Sequence, residues 1–470
     1  MDLIKATSQA IGKILNAGSM AIVGASNDPR KFGYMTLETL IQGGFKGRIY
    51  PVNPKGGQVL GLSVYKSVNE IPESIDVALI VVPVQFIPDI LPQVAAKGAA
   101  GVIICSGGFR EAGRPDLEEE IVQTARQLGL RLLGPNISGI AYLPNKMSAQ
   151  FFPVLTRQGP LAVISQSGTI TNGLCEWASD EGLGVSAGIN LGNQADLCES
   201  DYLDFFAEEE NTKAIVVYLD GVKDGRRFLE TLRRTTSRKP VVIIKGGRTV
   251  AGQRSTASHT ASLASNYKVF AAACRQCGAY VAGDVETAYD AVKALACMRP
   301  PKGNRILSIS TSGGANTLAM DEVDEWGLEA PLLPQALVEK LKGLKLSPLA
   351  DFSNPVDLVS LKTDDFKPVA LAAEKEDLFD TLLINFGDPV IGDLELVRFL
   401  DANLRASLAV SYFAGGDQEK RGRIEIQAAG YPVYPAPERA IRGISAKVWV
   451  ERYWQTRKAD RPGPGPQERG

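Results

Sequence analysis

The 470-residue chain contains one histidine, His259. Zinc sites built from two or three histidines are therefore excluded, and any imidazole chemistry must pass through that residue. There is no excess of one charge: 51 Lys and Arg stand against 53 Asp and Glu. That excludes an electrostatic nucleic-acid binder or a polyanionic tail. No apolar run approaches the roughly 18 residues of a membrane span, and the opening MDLIKATSQAIGKILNAGSM lacks a leader's apolar core. Six cysteines in so long a chain make no disulfide framework. The expectation is a cytoplasmic protein of several domains, with no nucleic acid, membrane or metal partner.

What is present is an alternation of short β-branched runs, Gly-rich turns and helical stretches, the pattern of βαβ units and parallel sheets. The first series of strands is Met20–Val23, Arg48–Val52, Val77–Val82, Gly101–Cys105 and Arg131–Leu133. A second runs Leu161–Ile164, Val185–Ile189, Ala214–Leu219, Val241–Lys245 and Ala279–Val281, closing with a helix over Val285–Met298. After the breaker cluster Arg299–Asn304 comes a third: Arg305–Ser310, Thr381–Phe386, Ser407–Phe413 and Val433–Tyr434. The expected division is residues 1–150, 151–298 and 304–458, followed by a disordered Pro/Gly-rich tail over 459–470.

Four groups of residues carry chemistry. The turn Val23–Gly33 uses Gly24 to leave the first strand and ends at a helix start suited to phosphate. It is not G-x-G-x-x-G, and Tyr50–Lys55 supplies no acid for a ribose, so a plain NAD site is disfavoured. Lys31 and Lys55 suit a more highly phosphorylated nucleotide. The loops Val81–Phe86, Ile104–Gly113 and Leu133–Gly139 leave the third, fourth and fifth strands, where open α/β sheets form their ligand crevice.

VISQSG (Val163–Gly168) and SISTSGG (Ser308–Gly314) each run from a strand through Ser-x-Ser-Gly into a helix. Each reads either as an anion-binding helix start or as a simple serine cap. His259 lies in Gly246–Ser265, a stretch of small residues read as an exposed loop; neutral imidazole there is a competent nucleophile towards phosphorus. Cys274 and Cys277 fall in a helical stretch and read as structural.

In combination, VGAS…P-x-K-x-G, YPVNP, GPN-x-x-G, SQSG, K-G-G-R-T…S-H-T-x-S, STSGGA, D-x-x-N-P-V-D and P-E-R-A resemble the nucleoside-diphosphate-forming acyl-CoA synthetase superfamily, from about Ser19 to Trp454. The nearest resemblance within it is to the α subunits of ADP-forming acetate–CoA ligases, with succinyl-CoA synthetase more distant. The resemblance implies an α/β fold: an N-terminal Rossmann-like CoA-binding domain, then two flavodoxin-like domains. It assigns CoA to Gly24, Ala25, Ser26, Lys31, Gly33, Asn53, Lys55, Val82, Pro83, Ser106 and Gly107. It assigns phosphate to Asn136, to Ser165, Gln166, Ser167 and Gly168, and to Ser312, Gly313 and Gly314. His259 carries the phosphoryl group.

Where the family usually has Y-[LI]-E-G, with the glutamate orienting the histidine, this chain has Tyr218-Leu219-Asp220-Gly221. Asp220 keeps the charge but is one methylene shorter. No Walker motif occurs, and the expectation is that this chain, with no room for an ATP-grasp module after its third domain, lacks the nucleotide site. A separate ATP-grasp β subunit carrying ADP or ATP and Mg is implied, in a heterotetramer. The alternative is a catalytically inactive CoA- or acyl-CoA-binding regulator, for which Asp220 is the best argument.

Overall fold

Strands buried on both faces read as unbroken apolar runs, and such runs line up in parallel when helices cover both sides. Ser19–Val23, Val77–Ile80, Gly101–Ile104 and Val241–Lys245 are buried at every position. The computed structural model describes residues 2–254, 266–387, 390 and 392–459. They form three sheets of α/β type, as expected.

The first sheet is entirely parallel. It orders Arg48–Val52, Ser19–Val23, Val77–Ile80, Gly101–Ile104 and Arg131–Leu133 side by side. The second places Gln158–Ser165 between Val185–Asn190 and Ala214–Leu219, with Val241–Lys245 and Tyr280–Ala282 beyond the latter. The third orders Val356–Asp357, Ile306–Ser310, Thr381–Gly387, Ser407–Phe413 and Val433–Tyr434, again all parallel. In each sheet one strand (Ser19–Val23, Gln158–Ser165 or Ile306–Ser310) is flanked by the next two strands of that sheet in the chain. The chain reverses direction of winding there, and the carboxyl ends of those two strands open a crevice.

Residues 139–150, expected within the first domain, pair elsewhere. Gly139–Tyr142 adds antiparallel to Val185–Asn190, and Met147–Gln150 adds antiparallel to Gly139–Tyr142, extending the second sheet. The helix Asp2–Leu15 was not anticipated from the sequence. It buries Ile11, Ile14 and Leu15 and sets Gly12 against Phe205 of the helix Glu199–Glu208. Arg131 joins the same region, bonding Asp196 at 2.8 Å and Thr7 at 2.9 Å.

The first two sheets form one compact unit, residues 1–179 and 184–281; residues 180–183 and 282–470 form the other. The second unit packs the helix Val285–Cys297 along Pro437–Ala459. Between them lies Lys293, with no exposed side-chain surface, donating to Glu181 at 2.5 Å and to the Val433 carbonyl at 2.8 Å. Asp290 beside it is held by Arg439 at 2.7 Å. The last helix begins at Pro437 with Glu438 in its first turn, as expected, and reaches Ala459. Residues 460–470 of the expected tail lie outside the described residues.

Candidate active site

At the crevice of the first sheet the chain must turn within a single residue. Gly24 does so at φ 103°, its N–H bonded to the Val52 carbonyl at 2.9 Å. A Cβ there would sit 2.6 Å from the Val81 carbonyl oxygen. Gly33 serves the same turn from the helix side, since its Cβ would fall 2.0 Å from the Gly24 carbonyl oxygen.

The result is a cleft of about 600 Å³ over the strand ends. Of the residues expected to meet CoA, it is lined by Gly24, Ser26, Lys31, Asn53, Val82 and Pro83. The other five are not among its lining residues. Ala25 is buried beneath the turn and Gly33 supports the turn from behind. Lys55 contributes its backbone N–H to the Asn53 carboxamide at 3.0 Å, and Ser106 donates to the Val82 carbonyl at 2.5 Å. Gly107 faces Asn136 and Glu111 instead.

The cleft also contains residues that the sequence reading missed. Lys66, Ser67 and Val68 enter because the ribbon Gln58–Val59 and Leu62–Ser63 doubles the chain back until Tyr65 bonds Pro51 and Asn53. Phe86 closes the crevice loop Val81–Phe86 that the sequence does indicate, and Asp89, Ile90 and Gln93 of the following helix, which it does not single out, line the cleft beside it. Two lysines, the apolar side chains of Phe86 and Ile90 and a turn too tight for any side chain suit a long ligand that carries phosphates at one end.

Asn136, expected at the phosphate, is engaged in a loop network. Its N–H bonds Ser106 and its amide bonds Asn193 at 3.3 Å; Asn193 in turn bonds Glu111 and Glu118 at 2.5 and 2.8 Å.

At the crevice of the second sheet, Ser165 folds its hydroxyl back on the turn. It accepts from the Ser167 N–H at 3.0 Å and donates to the Ser167 carbonyl at 2.9 Å. The helix Gly168–Asp180 then begins, and its first amides, at Gly168 and Thr169, have no acceptor inside the helix. Gln166 is bonded to the neighbouring loop. Its N–H bonds the Tyr218 carbonyl at 3.2 Å, and its side-chain amide donates to the Gly221 carbonyl at 2.8 Å. Its side-chain oxygen accepts from the N–H groups of both Asp220 and Gly221. Gln166 thus ties the helix start to the loop bearing Asp220.

Asp220 is 5% exposed. Tyr218 donates to its Oδ1 at 2.7 Å. Burial pushes the Tyr218 phenol well above its ordinary range, and the neighbouring carboxylate adds to the effect, so Tyr218 stays a donor. Lys245 spans the Asp220 and Gly246 carbonyls at 2.7 and 2.6 Å. Burial lowers the Lys245 pKa, and the Asp220 charge works against that shift. Gly246 is pressed so close that a Cβ would lie 2.6 Å from Asp220 Oδ1. Gly246 opens the stretch that leads to His259. Residues 250–254 of that stretch are helical rather than loop, and His259 itself lies outside the described residues.

The third sheet repeats the turn in the second unit. Ser310 accepts from the Ser312 N–H at 2.8 Å and donates to its carbonyl at 3.1 Å, and Ser312 caps Ala315 at 3.4 Å. The backbone matches, but the charge does not. A Cβ on Gly313 would lie 3.1 Å from the Asp357 carboxylate, so this start already faces an anion. Asp357 thus borders the helix start at which Ser312, Gly313 and Gly314 are expected to meet phosphate. Cys274 is buried in the helix Tyr267–Gln276 and its thiol is pushed up to about 12, in keeping with a structural role.

Residues 18–143 match the CoA binding domain, and residues 158–295 match the succinyl-CoA ligase like flavodoxin domain. Acetate–CoA ligase (ADP-forming) I subunit α of Pyrococcus furiosus is 38% identical over 450 residues, covering 92% of this chain and 96% of that one. The chain belongs to the family of ADP-forming acetate–CoA ligase α subunits. The corresponding subunit of ligase II from the same organism is 35% identical, again across 92% and 96% of the two chains. Among solved structures, the acetyl-coenzyme A synthetase 1 of Ca. Korarchaeum cryptofilum, in complex with phosphate and ADP, superposes with a TM-score of 0.87 at 33% identity. That match covers 96% of this chain and 99% of the other. No helix among the described residues is long and apolar enough to cross a membrane.

Proposed function

We infer that this chain is the α subunit of an ADP-forming acyl-CoA synthetase, converting acyl-CoA, phosphate and ADP into the free acid, CoA and ATP. The observation that carries this reading is the coupling of an anion-ready helix start to a buried carboxylate. Gln166 binds the loop of Asp220 to the turn from which Gly168 opens its helix, at the crevice of one sheet. The cleft at Gly24, Lys31 and Lys66, in the same compact unit, suits CoA.

Phosphate held at the amides of Gly168 and Thr169 attacks the thioester carbonyl, and CoA leaves as the thiol. A helix N-terminus stabilises such an anion by up to about 2 kcal/mol where it is partly buried. Neutral His259 then attacks the acyl phosphate at phosphorus and expels the carboxylate. Asp220 stabilises the imidazolium that this step creates, as a preorganised charge facing a developing one. ADP with Mg, bound on a separate ATP-grasp β subunit, receives the phosphoryl group. A heterotetramer in the cytoplasm completes the proposal.

The test is peptide mass spectrometry of the chain after incubation with phosphate and acyl-CoA, with and without the partner subunit. An acid-labile phosphate on His259, absent from His259→Ala, is the expected result. If Mg-ATP and an ATP-grasp partner leave His259 unmodified while CoA still binds, the regulator reading, which the shorter Asp220 favours, replaces this one.

A further inference from the structure

Asn193 lies in the loop after the strand Val185–Asn190 and is bonded through every polar group it has. Its backbone N–H bonds the Pro135 carbonyl at 3.0 Å, and its side-chain oxygen accepts from Asn136 at 3.3 Å. Its side-chain nitrogen donates to Glu111 Oε2 at 2.5 Å and to Glu118 Oε2 at 2.8 Å. Its carbonyl and that of Gln194 accept from the Lys223 ammonium, both at 2.8 Å. One residue thus joins the loops leaving the fourth and fifth strands of the first sheet to the loop that carries Asp220.

Each end of this junction reaches a working part of the site. Glu111 Oε1 accepts from the N–H groups of Gly108 and Phe109 at 2.6 and 3.2 Å, which fixes the loop of Ser106. Ser106 donates to the Val82 carbonyl, and Val82 lines the cleft. Burial alone would raise the Glu111 pKa, but the Asn193 and backbone hydrogen bonds outweigh it and lower the value. At the other end, Lys223 follows Gly221 by two residues, and Gln166 already holds Gly221. Lys223 gives the Asp220 loop its second anchor. Two carboxylates share one amide nitrogen at the centre, and their like charges hold that spacing only while the nitrogen stays between them. All of these residues belong to one compact unit.

We propose that Asn193 is a positioning residue, and that with Lys223 it couples CoA in the cleft to the placing of the Asp220 carboxylate. This rests on the acyl-CoA synthetase reading of the site. Coupling between sites is carried by such hydrogen-bonded networks. A ligand that orders one end of a shared network lowers the ordering cost left at the other, so the coupling is positive. CoA therefore speeds phosphorylation of His259 from ATP. In that step the imidazole takes the terminal phosphoryl group and ADP leaves, while no bond of CoA changes.

The experiment uses the full chain with its ATP-grasp partner and Mg-ATP, in the absence of any acid substrate. Rapid quench follows phosphohistidine formation with and without saturating CoA, in the parent, Asn193→Ala and Lys223→Met. The expected result is a parent rate raised about fivefold or more by CoA, the scale of ordinary coupling between sites. That rise falls below about twofold in both variants, while isothermal titration shows that each still binds CoA and is folded. A parent rate indifferent to CoA, or a rise that survives in either variant, overturns the coupling and leaves the synthetase reading standing. If His259 of the parent takes up no phosphate under either condition, the synthetase reading falls and the coupling falls with it.

Discussion

The side-chain amide of Gln166 closes on Gly221 from both sides, donating to its carbonyl at 2.8 Å and accepting from its N–H at 3.1 Å. A glutamine in this pose behaves like one more strand residue paired to the loop. It fixes the backbone of Asp220 against the helix start, which is how a carboxylate one methylene short of the family pattern can be held without slack. The same residue is expected at the phosphate, and its bonds to the loop suit it to a positioning role as well.

Gln166→Ala removes three hydrogen bonds from residues 220 and 221. The expected outcome is a fall in kcat for acyl-CoA-dependent ATP synthesis of about 10- to 100-fold, the scale of a misplacement near 1 Å. KM for CoA should stay within about twofold, because Gln166 does not line the cleft. A KM that rises in step with the fall in kcat would count against a positioning role.

Asp220→Asn keeps the shape and removes the charge. Phosphohistidine formation, followed by rapid quench, should slow by about 100-fold or more. Asp220→Glu restores the family residue but extends the carboxylate into a space bounded by Tyr218 and Gly246. Its activity should fall below the parent's, whereas recovery above the parent would show that the shorter side chain is itself the defect.

Gly33→Ala places a methyl group 2.0 Å from the Gly24 carbonyl, against backbone that cannot swing aside. Overpacking of this kind costs about 1–3 kcal/mol. If the turn at Gly24 yields, titration should show CoA affinity reduced by about tenfold or more. Gly98→Ala, with no atom near its Cβ, gives the comparison for a glycine away from the cleft, although its positive φ carries a small strain of its own.

Asp380 in the second unit is held by Arg305 through Nε and Nη2, both at 3.0 Å. Burial alone would raise the Asp380 pKa, but the guanidinium bonds and charge outweigh it, so the carboxyl titrates below its ordinary value. A carboxylate depressed on folding adds stability above its unfolded pKa, near 3.9, and that stability is lost as pH falls through the folded value. Arg305→Met should therefore cost about 3 kcal/mol at pH 7, where it strands a buried charge. The difference from the parent should shrink as the pH is taken below about 4. Denaturant unfolding at pH 7 and pH 3 reads this directly; a pH-independent difference would sink the ion-pair account.

Much of the molecule was legible in its sequence. Continuous apolar runs such as Ala214–Leu219 and Val241–Lys245 emerge at the residues expected, because a strand covered on both faces needs no partner-specific pattern to be recognised. The turn at Gly24, the two Ser-x-Ser-Gly helix starts and the uniqueness of His259 are likewise local or compositional facts. Only tertiary structure decided that residues 139–150 extend the second sheet, because strand pairing is set by partners far along the chain. It decided that Lys66 returns to the cleft, that Ser106 bonds the Val82 carbonyl, and that Asp357 lies beside the second helix start. It also brought Phe32 to Phe151, 119 positions apart, and Gln166 to Asp220, 54 positions apart. Sequence determines which chemistry each segment can perform; the distance between two such segments is a property of the packed sheets, and no local pattern encodes it.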